Sequence, residues 1–133
     1  MTAHTMKAAG PWMLVALAVV LAGCGSGSGQ GIMSVFQSKA QQDLSAGIKE
    51  YEDGKYAQAA KLLQASLDEG LAPADQVKAH KYLAFVHCVS GRQRQCRDEF
   101  GAALKIDPAF ELSAAEAGHP TWGPVFRSVK GRR

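Results

Sequence analysis

The sequence has few cysteines, little charge imbalance and no apolar run long enough to cross a membrane comfortably. Three cysteines occur among 133 residues, and the formal net charge is only +3. No sustained basic stripe runs along the chain, so nucleic acid is not expected as a partner. Strand-like alternation of useful length is also missing, whereas turn signals fall between long helical patterns. The composition and patterning therefore favour an all-α protein.

The longest apolar stretch is "PWMLVALAVVLA", which runs from Pro11 to Ala22. As a helix it would rise about 18 Å, at about 1.5 Å per residue. The hydrocarbon core of a bilayer is about 30 Å thick. The stretch has the length of the apolar part of an export signal, and Lys7 supplies a positive charge ahead of it. We therefore expect residues 1–23 to form a signal peptide.

The end of this stretch, Leu21-Ala22-Gly23-Cys24, resembles the lipobox of bacterial lipoproteins. The resemblance implies that the signal is cut before Cys24 and that this cysteine carries acyl chains, several of which hold a protein firmly on a membrane. In enteric-type lipoproteins an aspartate after the cysteine favours the inner membrane. Gly25 stands here, so the resemblance implies the outer membrane, with the domain facing the periplasm. An uncleaved anchor, or a plain signal with a chance cysteine, is the alternative.

Residues 24–31, "CGSGSGQG", contain little but glycine and serine after the cysteine. Such a segment behaves as a flexible tether, with a root-mean-square reach of about 15 Å. It would hold a folded domain away from the lipid headgroups.

Residues 32–108 contain four helical patterns of apolar residues, spaced three and four apart. Short connections between neighbouring helices predict antiparallel hairpins. Each pattern is bounded by a turn or breaker signal: Ser34 to "EDGK", Tyr56 to Gly70, Pro73 to Gly91, and a fourth that ends at Pro108.

The two hairpins resemble each other when Gly54 is aligned with Gly91. The second is similar to a tetratricopeptide repeat, and the first matches that repeat less completely. The resemblance implies two tetratricopeptide-like hairpins, whereas an unrelated helical bundle is the alternative. The residues that carry it are Leu83, Ala84, Gly91, Cys96, Phe100, Ala103 and Pro108 in the second hairpin, and Gly47, Gly54, Tyr56, Ala59 and Leu63 in the first.

Two repeats are fewer than the roughly three that such folds usually need, so something must cap them. The early start of the first helix extends one end. At the other end, residues 109–133 form a C-terminal tail that carries more apolar mass than a free segment would. Ser113 and Glu116 form a capping box for a single turn that ends at Gly118, and Pro124 can open another helix. We expect the tail, which ends in basic residues, to cap the last hairpin; a docking peptide for a partner is the alternative.

The tetratricopeptide resemblance also implies a concave face lined by the first helix of each hairpin. An apolar centre with two lysines would suit a helix or an extended peptide from a partner. The same residues could instead be covered by the tail. The implied residues are Leu44, Ile48, Tyr51, Glu52, Lys78, Lys81, Phe85 and Val89.

Taken with the lipobox, the segments "HCVSGRQRQCRDEF" and "DPAFELSAAEAGHPTWGPVF" resemble the small TssQ-type lipoproteins associated with type VI secretion. The resemblance covers essentially the whole mature chain. It implies an adaptor that helps to assemble or anchor a contractile secretion machine, with envelope proteins as partners and with no enzymatic activity, cofactor, metal or small-molecule substrate. A pilotin-like lipoprotein, or a general envelope-assembly lipoprotein for type IV pili or secretins, is the second interpretation.

An enzyme is the alternative of a different class, because His80, His87, Cys88 and Cys96 lie close together in the chain. The repeat family places packed aromatic rings at the positions of both histidines, so we expect His80 and His87 to pack in the core. A zinc site would show tighter ligand spacing. We therefore predict neither a metal site nor a Cys–His nucleophile.

Cys88 and Cys96 are the thiols that remain once Cys24 is acylated. They lie in the last turn of the third helix and the second turn of the fourth, on either side of Gly91. In an antiparallel hairpin these turns face each other, so the two Cα atoms could approach within the roughly 4.4–6.8 Å that a disulfide requires. The periplasm oxidises such pairs. Two small buried cysteines that stay reduced are the alternative, because the repeat prefers alanine at the position of Cys96.

Overall fold

The computed structural model describes residues 28–132, with side chains from residue 39 onward. The described part is helical and has no β-strand. Helices α1 and α2 pack as one hairpin and α3 and α4 as a second, while α2 joins the two by packing on α3. The all-α prediction is confirmed. The helices are α1 (Ser28–Glu52), α2 (Tyr56–Glu69), α3 (Pro73–Val89), α4 (Gln93–Ile106), α5 (Ala114–Ala117) and α6 (Gly123–Lys130).

Helix α1 begins at Ser28, earlier than the predicted start near Ser34. Residues 28–31, which were expected to belong to the tether, are therefore helical. The other ends follow the turn and breaker residues. Helix α3 carries proline in its first turn, and α2 ends before Gly70.

The two hairpin turns have the same backbone geometry. Gly54 and Gly91 adopt φ values of 76° and 73°, in the left-handed region that glycine tolerates best. The N–H of Gly54 donates to the carbonyl of Tyr51 at 3.0 Å, and that of Gly91 donates to the carbonyl of Cys88 at 3.1 Å. The alignment of Gly54 with Gly91 is therefore correct at the level of individual hydrogen bonds.

Equivalent positions of the two hairpins are also buried alike. Leu63 of α2 corresponds to Phe100 of α4, and both are fully buried. Where α1 crosses α2, a Cβ on Gly47 would lie 2.8 Å from the Cγ of Leu63. Two helices can approach this closely only where one of them lacks a side chain, so Gly47 sets the spacing of the first hairpin.

The C-terminal tail folds back over the second hairpin. Ser113 and Glu116 form the predicted capping box around α5, and Pro124 lies in the first turn of α6. Helix α6 packs on α4. The apolar core of the second hairpin is completed by three buried residues of the tail: Leu112, Trp122 and Phe126.

A close backbone approach fixes the turn between the two tail helices. A Cβ on Gly123 would lie 2.3 Å from the carbonyl oxygen of Ala117. The guanidinium of Arg127 donates to the same carbonyl at 3.1 Å. The tail therefore caps the second hairpin as a folded unit rather than as an extended strap.

Candidate functional site

The predicted concave face is built where α1 and α3 lie side by side. These helices contact each other, and the ring of Tyr51 on α1 meets two rings of α3. Its centroid lies 5.3 Å from that of Tyr82 and 6.0 Å from that of Phe85. The end of α1 and the middle of α3 thus form one aromatic surface.

The residues that were predicted to line this face differ in how far they are buried. Leu44 and Phe85 are only 3% and 2% exposed, so neither is available to a partner, and the prediction that they bind one is wrong. Leu44 belongs to the core between the hairpins, and Phe85 belongs to the core beneath the tail. Of the remainder, Lys78 and Glu52 are exposed, whereas Ile48, Tyr51, Lys81 and Val89 are partly buried.

The tail covers the Phe85 end of the face. The indole of Trp122 stacks on the ring of Phe85 with centroids 4.3 Å apart, and its Nε1–H donates to the carbonyl of Glu116 at 2.9 Å. Beside them, Lys81 Nζ donates to the Glu116 carboxylate at 2.7 Å. The sequence left open whether a partner peptide or the tail covers this face. In the structure, the tail covers this part of it.

The ion pair between Lys81 and Glu116 is partly shielded from solvent. The two side chains are 17% and 23% exposed. Burial by itself would raise the pKa of Glu116, but the hydrogen bonds from Lys81 and Ser113 outweigh it and hold that pKa below its ordinary value. The Glu116 carboxylate is therefore ionised at neutral pH.

The uncovered part of the face is a cluster of tyrosines. The Tyr51 ring lies 5.8 Å from that of Tyr56 and 5.3 Å from that of Tyr82. Tyr56 is 37% exposed and is the single exposed large hydrophobic residue of the described chain. We call Tyr51, Tyr56 and Tyr82 the tyrosine patch.

Two hydroxyls of the patch, those of Tyr51 and Tyr82, remain protonated at physiological pH. Burial, with smaller contributions from Tyr56, Tyr82 and Glu116, raises the pKa of Tyr51 to about 12. Burial is also the main reason why the pKa of Tyr82 is raised. These two rings can therefore offer an apolar body together with a neutral hydroxyl, a combination that is enriched at protein interfaces.

Sequence reasoning missed most of this patch. Tyr56 was named only as a residue that carries the repeat resemblance, and Tyr82 was not singled out. The available signal was the spacing of Tyr82 and Phe85, which puts both on one side of α3 beside Lys81. The roles of Trp122 and Glu116 on this face depend on the path of the tail, for which the sequence carries no local signal.

The two histidines of α3 are not core residues, which corrects that prediction. His80 Nδ1 lies 2.7 Å from Glu99 Oε2 on α4, and both side chains are 20% exposed. His87 Nδ1 accepts from Nε of Arg92 at 2.9 Å. Burial and then the charge of Arg92 lower the pKa of His87. Unlike an aromatic hydrocarbon ring, the imidazole has polar nitrogen atoms. In this chain these atoms contact the charged side chains of Glu99 and Arg92.

The described residues assemble no metal site. No group of three or more His, Cys, Asp or Glu side chains lies close enough to hold an ion in this part of the chain. Cys88 and Cys96 form a disulfide with their Cα atoms 5.1 Å apart. The predicted disulfide is therefore present, and Cys88 has no free thiol to act as a nucleophile.

An open cleft of about 270 Å³ lies between the start of α3 and the end of α4. Asp107 is the single charged residue that lines it, together with Pro73, Ala74, Val77 and Ile106. This lining gives no arrangement of acid, base and nucleophile.

The predicted anchor lies outside the described residues. Cys24 and the signal peptide precede residue 28, so their predictions stay predictions. Across the part of the chain that is described, no helix has both the length and the hydropathy to cross a bilayer.

Comparisons with known proteins give no relative for this chain. Neither protein-family models nor curated proteins nor solved structures produced a match.

Proposed function

We propose that the protein is a lipid-anchored adaptor of the outer membrane that faces the periplasm and assists the assembly of a type VI secretion system. The lipobox-like Leu21-Ala22-Gly23-Cys24 supports the anchoring, and the two tetratricopeptide-like hairpins support the adaptor class. The chain would present its helical domain to a protein partner while acyl chains hold it at the membrane.

The observation that carries the adaptor proposal is the uneven covering of the concave face. The tail closes the end around Phe85, whereas Tyr56 is exposed and Tyr51 and Tyr82 are partly exposed. Tyrosine, which combines an apolar ring with a polar hydroxyl, is enriched among interface hot spots. The end of the face around Phe85 is therefore covered by the tail, and the tyrosine patch is the part that a partner could contact.

The enzyme alternative is weakened at the place where it was suggested. The sulfur of Cys88 is bonded to that of Cys96, and the Nδ1 of His87 is occupied by Arg92. A Cys–His nucleophile would need a free thiolate beside an available imidazole nitrogen.

The proposal is tested by deleting the gene in a bacterium that kills competitor cells by type VI secretion and restoring it as variants. We expect wild type and Ser26→Ala to restore killing, and Cys24→Ser to lose both lipid labelling and killing. Gly25→Asp should keep the label but move the protein to the inner membrane. Undiminished killing in the deletion strain, or full restoration by Cys24→Ser without lipid, would contradict the proposal.

A further inference from the structure

Positive charge is distributed unevenly along this chain. All six arginines stand at or after residue 92. Residues 91–133 contain eight Lys and Arg against five Asp and Glu, whereas residues 24–90 contain six against seven. The excess of positive charge therefore belongs to α4 and the tail, at one end of the stack of helices.

The lysines of the first three helices and their turns are mostly neutralised by carboxylates of the same chain. Among the described lysines of this part, only Lys61 has no such partner. Five others have a carboxylate oxygen within 3.6 Å of Nζ: Lys39, Lys49, Lys55, Lys78 and Lys81.

Helix α4 carries its unneutralised cations on one outer side. Residues spaced three and four apart share a side of a helix, as do Arg94, Arg97, Gly101 and Lys105. A Cβ on Gly101 would meet no atom within 4 Å, so the described chain does not cover this side. Arg97 and Lys105 are exposed and form no ion pair within the described residues. Nε of Arg94 lies 3.9 Å from the Asp98 carboxylate, and these side chains are 87% and 69% exposed.

The neighbouring helix α6, which packs on α4, adds two exposed arginines. The guanidinium of Arg127 donates to the carbonyl of Ala117 at 3.1 Å, and that of Arg132 donates to the hydroxyl of Ser128 at 2.9 Å. Both acceptors are uncharged, so both arginines keep their charge uncompensated. We define the basic surface by five residues of these two helices: Arg94, Arg97, Lys105, Arg127 and Arg132.

Other carboxylates of this part of the chain have partners elsewhere. The Asp107 carboxylate accepts the N–H of Ala109 at 2.9 Å. Three more carboxylates each contact a basic side chain outside the basic surface: Glu99 with His80, Glu111 with Lys130 and Glu116 with Lys81. Asp98 is therefore the one carboxylate on the outer side of α4.

The basic surface has the chemistry of an anion-binding surface without an apolar centre. Tyr56 of α2 is the one large hydrophobic side chain that the described residues expose. A protein interface has an apolar core, whereas attraction to an anionic lipid surface needs none, because each nearby Lys or Arg contributes separately. Arginine also matches the geometry of a phosphate with two parallel hydrogen bonds.

We propose that the basic surface lies against the phosphate groups of anionic phospholipids, in the membrane to which Cys24 is proposed to anchor the chain. The anchor would keep the domain close to the membrane, so a weak attraction suffices to orient it. Helix α2, which carries Tyr56, contacts neither α4 nor α6, and a protein partner could still reach the tyrosine patch. This inference rests on the proposed membrane location and adds the orientation of the domain.

The test uses residues 24–133 with Cys24→Ser and with the disulfide intact. This chain carries no acyl group and contains every helix that the structure describes. Co-sedimentation measures its binding to vesicles of phosphatidylcholine and to vesicles of equal parts phosphatidylcholine and phosphatidylglycerol. We expect binding to the mixed vesicles alone, with a loss at high salt because the attraction is screened.

Two double variants with the same change in net charge locate the effect. Arg94→Gln with Arg97→Gln should weaken binding about 25-fold, at about fivefold for each cation beside an anionic surface. Lys49→Gln with Lys61→Gln, which removes two exposed cations of α1 and α2, should change binding little. Asp98→Asn should strengthen binding about fivefold, because it removes the one carboxylate on the outer side of α4.

Three results would overturn the inference: no binding to the mixed vesicles, equal binding to both kinds of vesicle, or an equal loss in the two double variants. Polyglutamate that binds as tightly as the mixed vesicles would also overturn it, because the occupant would then be an acidic protein.

This outcome is separable from the adaptor proposal. A chain that is required for secretion but does not bind the mixed vesicles would refute the lipid-facing surface alone. Vesicle binding by a chain that is dispensable for secretion would instead refute the proposed role in secretion.

Discussion

Glu116 connects the local structure of the tail with its position on the hairpin. Its carboxylate accepts the N–H of Ser113 at 2.9 Å and so completes the cap of α5. The same carboxylate accepts Lys81 at 2.7 Å, and its backbone carbonyl accepts the indole of Trp122 at 2.9 Å. One residue therefore both starts the short helix and fixes that helix against α3.

Glu116→Gln keeps the size and the capping capacity of this side chain but removes its charge. We expect the free energy of unfolding to fall by about 1–2 kcal/mol at pH 7, because a charge-assisted, partly buried hydrogen bond is weakened. The folded-state pKa of Glu116 lies below its ordinary value of 4.5. The stability from ionisation is therefore fully present above about pH 4.5 and is lost as pH falls through the folded pKa.

Urea unfolding of wild type and variant at pH 7 and at successively lower pH measures this difference. The gap between the two proteins should shrink as pH falls below 4.5. Glu111→Gln is the matched control, since Glu111 is a largely exposed tail carboxylate, 67% accessible, that pairs with Lys130; a change near zero is expected there. A gap that is independent of pH, or equal in the control, would refute the role given to the pair with Lys81.

The tail is an element of the fold that contributes much of the second hairpin's core. The ring of Phe126 lies 5.2 Å from that of Phe100 and 5.5 Å from that of Phe110. Phe126 itself is 3% exposed. Two tetratricopeptide-like units leave an apolar end that has to be covered, and α6 covers it.

Phe126→Ala should lower the free energy of unfolding by about 3–5 kcal/mol, because the lost ring leaves a cavity between α6 and α4. Removing residues 110–133 should cost at least as much, whereas removing only residues 132–133, beyond α6, should change little. Denaturant unfolding and thermal melts compare the three proteins. A protein without residues 110–133 that melts like wild type but no longer binds its partner would make the tail a docking element instead of a cap.

The ends of the helices were predictable where the chain carries a glycine, a proline or a capping residue. Gly54 and Gly91 mark the hairpin turns, Pro73 opens α3, and the pairing of Ser113 with Glu116 marks α5. These signals act over a few residues, so the sequence reveals them directly. The start of α1 has no such signal, because glycine and serine around Ser28 are typical of a tether.

Contacts between distant segments were not predictable in the same way. The pairing of His80 with Glu99 depends on the register between α3 and α4. The burial of Phe85 depends on where the tail places Trp122. The disulfide is the exception, because the turn at Gly91 fixes the separation of Cys88 and Cys96 whatever the rest of the chain does.

At the scale of the whole molecule, Tyr56 is the one large hydrophobic side chain that the described residues expose. The outward positions of α1, such as Gln41, Gln42 and Ser45, are exposed and polar. The last helix ends the stack with Arg127 and Ser128 at the surface. Terminal repeats with polar outer faces stop a helical stack from growing, so we expect a partner to meet the side of the molecule at the tyrosine patch rather than its ends.

Site-specific photo-cross-linking in living cells tests the adaptor account most directly. A photoreactive phenylalanine analogue is placed at Tyr56 in the patch, or at Lys105, an exposed residue of α4, in chains that keep Cys24. The account predicts a single dominant cross-link to another envelope protein from position 56 and none from position 105. Equal cross-linking from both positions, or a product from position 56 that contains only this chain, would contradict it.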